Sequence, residues 1–87
     1  MDSIGKRAWA DIIADILLST KDGENITNVM YKSRLSYGRL KDYLKLLVDN
    51  GLLDHDKKSK STYTTTKKGI EYLATYRRVR NFVFPAK

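Results

Sequence analysis

The sequence predicts an α+β fold, a winged helix-turn-helix built from three helices plus a β-hairpin wing, followed by a C-terminal helix suited to dimerisation. Two observations carry this. The run ITNVMYKSRLSYGRLKDYLKLLVDNGLL over 26–53 reads as a short helix, a tight turn, a longer helix opened by Ser36 and closed by Gly51, and the start of an apolar strand. A polar, turn-prone stretch over 54–61 then separates Leu52 and Leu53 from Tyr63, Thr64 and Thr65, as the tip of a hairpin separates its strands.

Each element has a local reason. The first helix is expected from about Gly5 to Thr20 with Ser3 as cap. Trp9, Ile12, Ile13, Ile16 and Leu17 recur at helical spacing as one apolar stripe, which makes Trp9 a core residue. Asp11 and Asp15 lie off that stripe, on the solvent face, and Lys21-Asp22-Gly23 ends the helix. A short helix over 26–33 takes Asn25 or Thr27 as its cap and points Val29 and Met30 inward. Leu35 plugs the turn. The third helix begins at Ser36, whose hydroxyl can accept from an orphaned backbone N–H, and buries Leu40, Tyr43, Leu44, Leu47 and Val48. Gly51 supplies the left-handed residue that stops it. Thr66 caps a final helix over 67–84, terminated by Pro85. The division of the chain is therefore 1–66 for the winged helix-turn-helix and 67–87 for the C-terminal helix.

That last helix has two apolar faces. Ile70, Leu73 and Ala74 suit packing on the domain. Tyr72, Tyr76, Val79 and Val83 are spaced four, three and four apart, as heptad a and d positions are. The second face calls for a partner, with Phe82 or Phe84 closing the seam. The other arrangement open to it leaves Tyr72 and Tyr76 half exposed against the first helix.

Composition narrows the function. The chain has 87 residues, room for one domain, and no cysteine, so no thiolate site or disulfide supports it. No apolar run nears the ~20 residues that span a bilayer and no signal-peptide pattern opens the chain, so a cytoplasmic protein is expected. The formal charge is +7. It is unevenly spread: 3 Lys and Arg stand against 5 Asp and Glu through Asn28, and 14 against 5 thereafter, −2 and then +9. A basic half of this kind points to a polyanion.

Catalysis finds no support. His55 is the only histidine, between Asp54 and Asp56 at the hairpin tip, and successive strand residues point to opposite faces, so the three do not make a metal site. There is no glycine-rich phosphate loop and no nucleophile elbow. A non-enzyme without cofactor, metal or small-molecule ligand is expected.

A nucleic-acid reading has three parts. Ser36, Tyr37, Arg39, Lys41 and Lys45 lie off the buried face of the third helix, whose first turn presents backbone N–H groups and a positive dipole end. Arg39 matches guanine O6 and N7 with its fork. Gly38 costs helix propensity by about 1 kcal/mol, which close approach of the backbone to DNA would explain. Lys32 and Arg34 flank the turn before the helix, and Lys57, Lys58 and Lys60 sit at the hairpin tip where they reach phosphates.

The pairs Met30-Tyr31 and Leu35-Ser36-Tyr37, then Tyr43-Leu44, Leu47, Gly51-Leu52-Leu53, Tyr63, Thr66-Lys67-Lys68-Gly69 and Leu73, resemble the small archaeal winged-helix DNA-binding proteins of the ArnR-like type, which include the ten-kilodalton Sulfolobus chromatin-associated proteins. The resemblance implies a homodimer joined antiparallel through its C-terminal helices that binds double-stranded DNA, on the nucleoid. By position it implies Tyr37 and Arg39 in the major groove and Lys57, Lys58 and Lys60 on the backbone. Three departures stand out. Asn28 replaces a frequent basic residue, Thr65 replaces an apolar strand residue and predicts a looser wing base, and the last helix is cut short at Phe84-Pro85. The leading expectation is a transcriptional regulator with its recognition helix over 36–50. The rivals are an architectural protein that bends or bridges DNA, a winged helix docking an acidic protein, and, with least support, an RNA-binding module.

Overall fold

The computed structural model describes residues 8–58 and 61–85. The elements run α1 (Trp9–Ser19), β1 (Glu24–Asn25), α2 (Ile26–Ser33), α3 (Tyr37–Asp49), β2 (Leu53–Asp56), β3 (Thr62–Thr65) and α4 (Lys67–Val83). A helix-turn-helix thus leads into a hairpin and a closing helix, as expected. The proposed Ser3 cap and the turn from Gly5 to Arg7 lie outside the described residues.

The caps fall where the side chains allow. Asn25 accepts from Asn28 N–H at 2.9 Å, Ser36 from Arg39 N–H at 3.3 Å and Thr66 from Gly69 N–H at 3.1 Å. At the end of α3 Gly51 takes φ +79°, and Gly51 N–H and Leu52 N–H reach back to the Val48 and Leu47 carbonyls at 3.1 and 2.8 Å. That pairing closes the helix with a left-handed residue. The core gathers Ile12, Ile13, Ile16 and Leu17 of α1 with Val29, Leu35, Leu40, Leu44, Leu47 and Leu53. Tyr43, Val48 and Met30 pack at its margin.

The sheet has three strands rather than the two of a simple hairpin. Its order is β1-β3-β2, all antiparallel, with Glu24 opposite Tyr63 and Leu53 opposite Thr65. Two residues are too short a strand to announce itself by alternation, which is why β1 was not expected.

Three expectations about burial need correction. Trp9 is 65% exposed. It stands at the first residue of α1, one turn before Ile12, where the buried part of the stripe begins. Asp11 is half covered because the Tyr76 hydroxyl donates to it. On α4 the inward residues are Gly69, Tyr72, Leu73 and Tyr76, whereas Ile70 and Ala74 face solvent. The Tyr72 hydroxyl donates to the Ala10 carbonyl at 2.7 Å, and the two tyrosine rings stack with centroids 6.2 Å apart. Burial, then the neighbouring Tyr76 and Asp11, push the Tyr72 phenol up to about 12. Tyr72 and Tyr76 therefore rest on α1 of the same chain, and the continuing stripe of Val79 and Val83 is left 57% and 65% exposed.

The wing base is tight, contrary to what Thr65 in place of an apolar residue predicts. Its hydroxyl donates to the Leu17 carbonyl at 2.7 Å and lies 2.7 Å from the Thr20 hydroxyl, while Thr65 N–H reaches the Thr20 carbonyl at 3.0 Å. Two threonines, one fully buried, thus join the end of α1 to the end of β3. Beside them Thr66 N–H bonds the Leu52 carbonyl at 3.0 Å, the Thr66 hydroxyl donates to the Gly51 carbonyl at 2.6 Å, and Lys68 Nζ caps α3 at the Asn50 carbonyl, 2.8 Å away. A Cβ at Gly69 would stand 2.5 Å from both the Leu52 carbonyl oxygen and Thr65 Cγ2, so only glycine lets α4 begin there.

Gly69 and Gly38 make a paired test. Nothing lies within 4 Å of a Cβ at Gly38. Gly69→Ala should destabilise by about 1–3 kcal/mol through overpacking, and Gly38→Ala should stabilise by up to about 1 kcal/mol through helix propensity. Thermal melts of the two variants check this; a Gly69→Ala melt at or above wild type contradicts the packing described.

Candidate nucleic-acid interface

The outward face of α3 and the inner face of β2 converge on one open cleft. Lys41, Leu44, Lys45, Val48 and Asp49 line it from the helix, and Leu53, His55 and Lys57 from the strand side, with Tyr63 behind; its volume is about 630 Å³. The period-two alternation of a strand places Leu53, His55 and Lys57 on one side. Leu53 plugs the core, and the next two residues along that side are polar.

The residues singled out in the sequence differ in how far they are engaged within the chain. Tyr37, Arg39 and Lys41 occupy the first half of α3 and are exposed, with Lys41 Nζ 5.6 Å from the centre of the Tyr37 ring. Neither cation makes an ion pair among the described residues. Ser36 is committed to its capping role. Lys32 and Lys45 are engaged within the chain. Lys32 Nζ lies 3.0 Å from Glu24, which also receives the Asn28 side-chain amide at 2.8 Å, and Lys45 pairs with Asp49 at 2.9 Å. The bonds from Asn28 and Lys32 hold the Glu24 carboxyl below its usual range. Asn28, named above as a departure from the frequent basic residue, donates its side-chain amide to Glu24.

Arg34 closes α2 in the left-handed region at φ 58°, ψ 39°, its N–H on the Met30 carbonyl at 2.9 Å. That backbone favours glycine or asparagine. Its guanidinium is exposed, with no bond among the described residues, beside the α2–α3 turn. On the wing, Lys57 and Lys58 are exposed, and Lys58 N–H is fixed on Asp56 Oδ1 at 2.9 Å. Lys60 lies outside the described residues.

His55 corrects the sequence reading. It is not at the tip, because β2 continues to Asp56 and pairs His55 with Tyr63. The two rings stack at 4.0 Å between centroids and 5° between planes, and His55 Nε2 is 2.7 Å from the Ser61 hydroxyl. Burial, then proximity to Tyr37, raises the Tyr63 phenol. The signal for this site was present as the alternation Leu53, His55, Lys57. The lysine–aspartate pair at i, i+4 on α3 was also legible; the Glu24–Lys32 pair was not, since it depends on how β1 meets α2.

Among the described residues no cluster of three or more metal-ligating side chains occurs, and no helix is long and apolar enough to cross a membrane. The arrangement can do one thing well, which is to offer cations and hydrogen-bond donors on a convex helix flanked by a protruding hairpin.

The sequence profile of the winged helix-turn-helix family matches residues 6–83. The fold is similar to the crystal structure of Sso10a-2, a DNA-binding protein from Sulfolobus solfataricus, with a TM-score of 0.79 and 26% identity over 90% of this chain and 86% of that one. No curated protein matches the chain.

Proposed function

The chain belongs to the winged helix-turn-helix family, and from that premise we propose that it binds double-stranded DNA as a transcriptional regulator, with α3 in the major groove and the wing on the backbone. The observation that carries the reading is an exposed first half of α3 that holds Tyr37, Arg39 and Lys41, with Lys41 and Lys57 of the wing lining one cleft. The likeness to a DNA-binding protein at 26% identity supports it. So does Gly38, which internal packing does not require and which lets a groove wall approach the helix.

In this reading Arg39 contacts a base edge and Tyr37 packs beside it. Arg34 and Lys41 take phosphates, and Lys57, Lys58 and Lys60 extend the contact outward. Lys32 and Lys45 contribute less, because each must first exchange its carboxylate for a phosphate. Localisation in the cytoplasm on the nucleoid follows from the same reading. Membership of the ArnR-like archaeal group belongs to the proposal as well, supported by the Sulfolobus likeness. An architectural role is the second reading. It is favoured by Arg77, Arg78 and Lys67, exposed on α4 away from the cleft, where a second duplex could lie. Genome-wide footprints separate the two: discrete sites mark a regulator, broad coverage an architect.

Affinity for a random duplex should fall log-linearly with salt, by about 0.9 in slope for each phosphate neutralised. Replacing Lys57, Lys58 and Lys60 by alanine should flatten the slope for every sequence alike. Arg39→Ala should cost roughly 1–3 kcal/mol more on a selected site than on random duplex. Salt-independent binding would instead favour a protein-docking role.

We also propose a homodimer through α4. Val79, Phe82, Val83 and Phe84 are all more than half exposed at its end, Phe82 at 84%, while Tyr72 and Tyr76 extend the stripe toward α1. The apolar area is small, so the dimer is marginal. Sedimentation at tens of micromolar should give a dimer, and Val79→Asp with Phe82→Asp, which leave the tyrosine contacts intact, should give a monomer. A wild-type monomer under those conditions refutes the dimer.

A further inference from the structure

We propose that His55 is a proton-controlled contact to the DNA backbone, the cleft between α3 and the wing taking a phosphodiester that the imidazolium holds. The inference rests on the DNA-binding reading and adds to it a residue and a condition. His55 is the sole histidine of the chain, and it lines the cleft in line with Lys57 and opposite Lys41 and Lys45. A histidine gains its charge between about pH 5 and pH 8, where no other kind of side chain ordinarily titrates.

The geometry holds the ring ready. Tyr63 lies parallel to it at 4.0 Å. Ser61, itself in the left-handed region at φ 52°, holds Nε2 at 2.7 Å. A hydroxyl donates to a neutral ring nitrogen and accepts from a protonated one, so this bond survives protonation and the ring keeps its place. Nδ1 has no partner among the described residues. Protonation therefore adds an N–H donor and a full charge on a fixed ring, without rearranging the wing.

The surrounding charges set the direction. From α3, Lys41 and Lys45 face the ring across the cleft with Asp49, which is already paired with Lys45, and Asp54 lines the same cleft from the strand. Lys57 adds a further cation on the same strand. Tyr63, whose phenol is raised by burial, stays neutral throughout. A phosphate entering the cleft neutralises the lysines and favours the imidazolium, so proton uptake accompanies binding. By linkage, the complex tightens as pH falls.

The test is the affinity for a random duplex without terminal phosphates, by fluorescence anisotropy at fixed ionic strength, from about pH 8 to about pH 5.5. Wild type should bind roughly fivefold to tenfold more tightly at the acid end, with a salt slope steeper by about 0.9 there. His55→Phe, which keeps a ring against Tyr63, and His55→Gln, which keeps a donor, should both bring the ratio of acid to alkaline affinity close to one. A wild-type ratio near one, or a ratio unchanged in both variants, overturns the role of His55 and leaves DNA binding standing. Failure of the wild type to bind duplex at any pH overturns the DNA-binding reading itself.

Discussion

The absence of a single Cβ, at Gly69, fixes how the pieces of this small protein meet. Because α4 can begin against the Leu52 carbonyl and the Thr65 side chain, Thr66 can bridge Gly51 and Gly69 at once, and Lys68 can cap α3. The Thr20 and Thr65 hydroxyls complete the joint from α1. One region therefore locks α1, the end of α3, the root of the wing and α4 together. The hydroxyls and carbonyls there are satisfied by one another. An unpaired buried group would cost about 1–3 kcal/mol, so a joint made of such groups is rigid only while every member is in place. The root of the wing and the end of α3, which carry the two sides of the cleft, both meet at this joint.

Electrostatics then divides the basic surface into engaged and available charge. A formal +7 overstates what faces the cleft. Lys32 is matched by Glu24, Lys45 by Asp49 and the wing strand carries Asp54 and Asp56. What is left near the helix-turn-helix is concentrated in Arg34, Arg39, Lys41, Lys57 and Lys58. Arg34 sits on a backbone that disfavours it, and the protein keeps a guanidinium there rather than the glycine that the turn would prefer. In this pattern internal carboxylates already neutralise part of the lysine charge.

How much of this was legible depended on whether a feature was local. Caps at Ser36 and Thr66, the Gly51 stop and the helical stripes were readable, since each needs only neighbours a few residues away. Trp9 misled because periodicity gives direction but not the length of the surface that covers a stripe. Ile70 and Ala74 misled for a related reason: α4 lies on α1 through Gly69 and two tyrosines, and a tyrosine with a partner for its hydroxyl packs inward as readily as an isoleucine. Thr65 looked like a weakness because its partner, Thr20, is 45 residues away in sequence. Within the cleft, the lysines were visible as composition, but His55 gained its setting only when β2 and β3 came into register.

The central claim is that nucleic acid meets this protein at α3 and the wing. Amide chemical shifts of the labelled protein titrated with a short duplex test it most directly. The account predicts the largest changes from Ser36 to Lys45 and from His55 to Lys58, with little at Ile12 to Leu17. Changes confined to α4 around Arg77 and Arg78, with α3 silent, would contradict it.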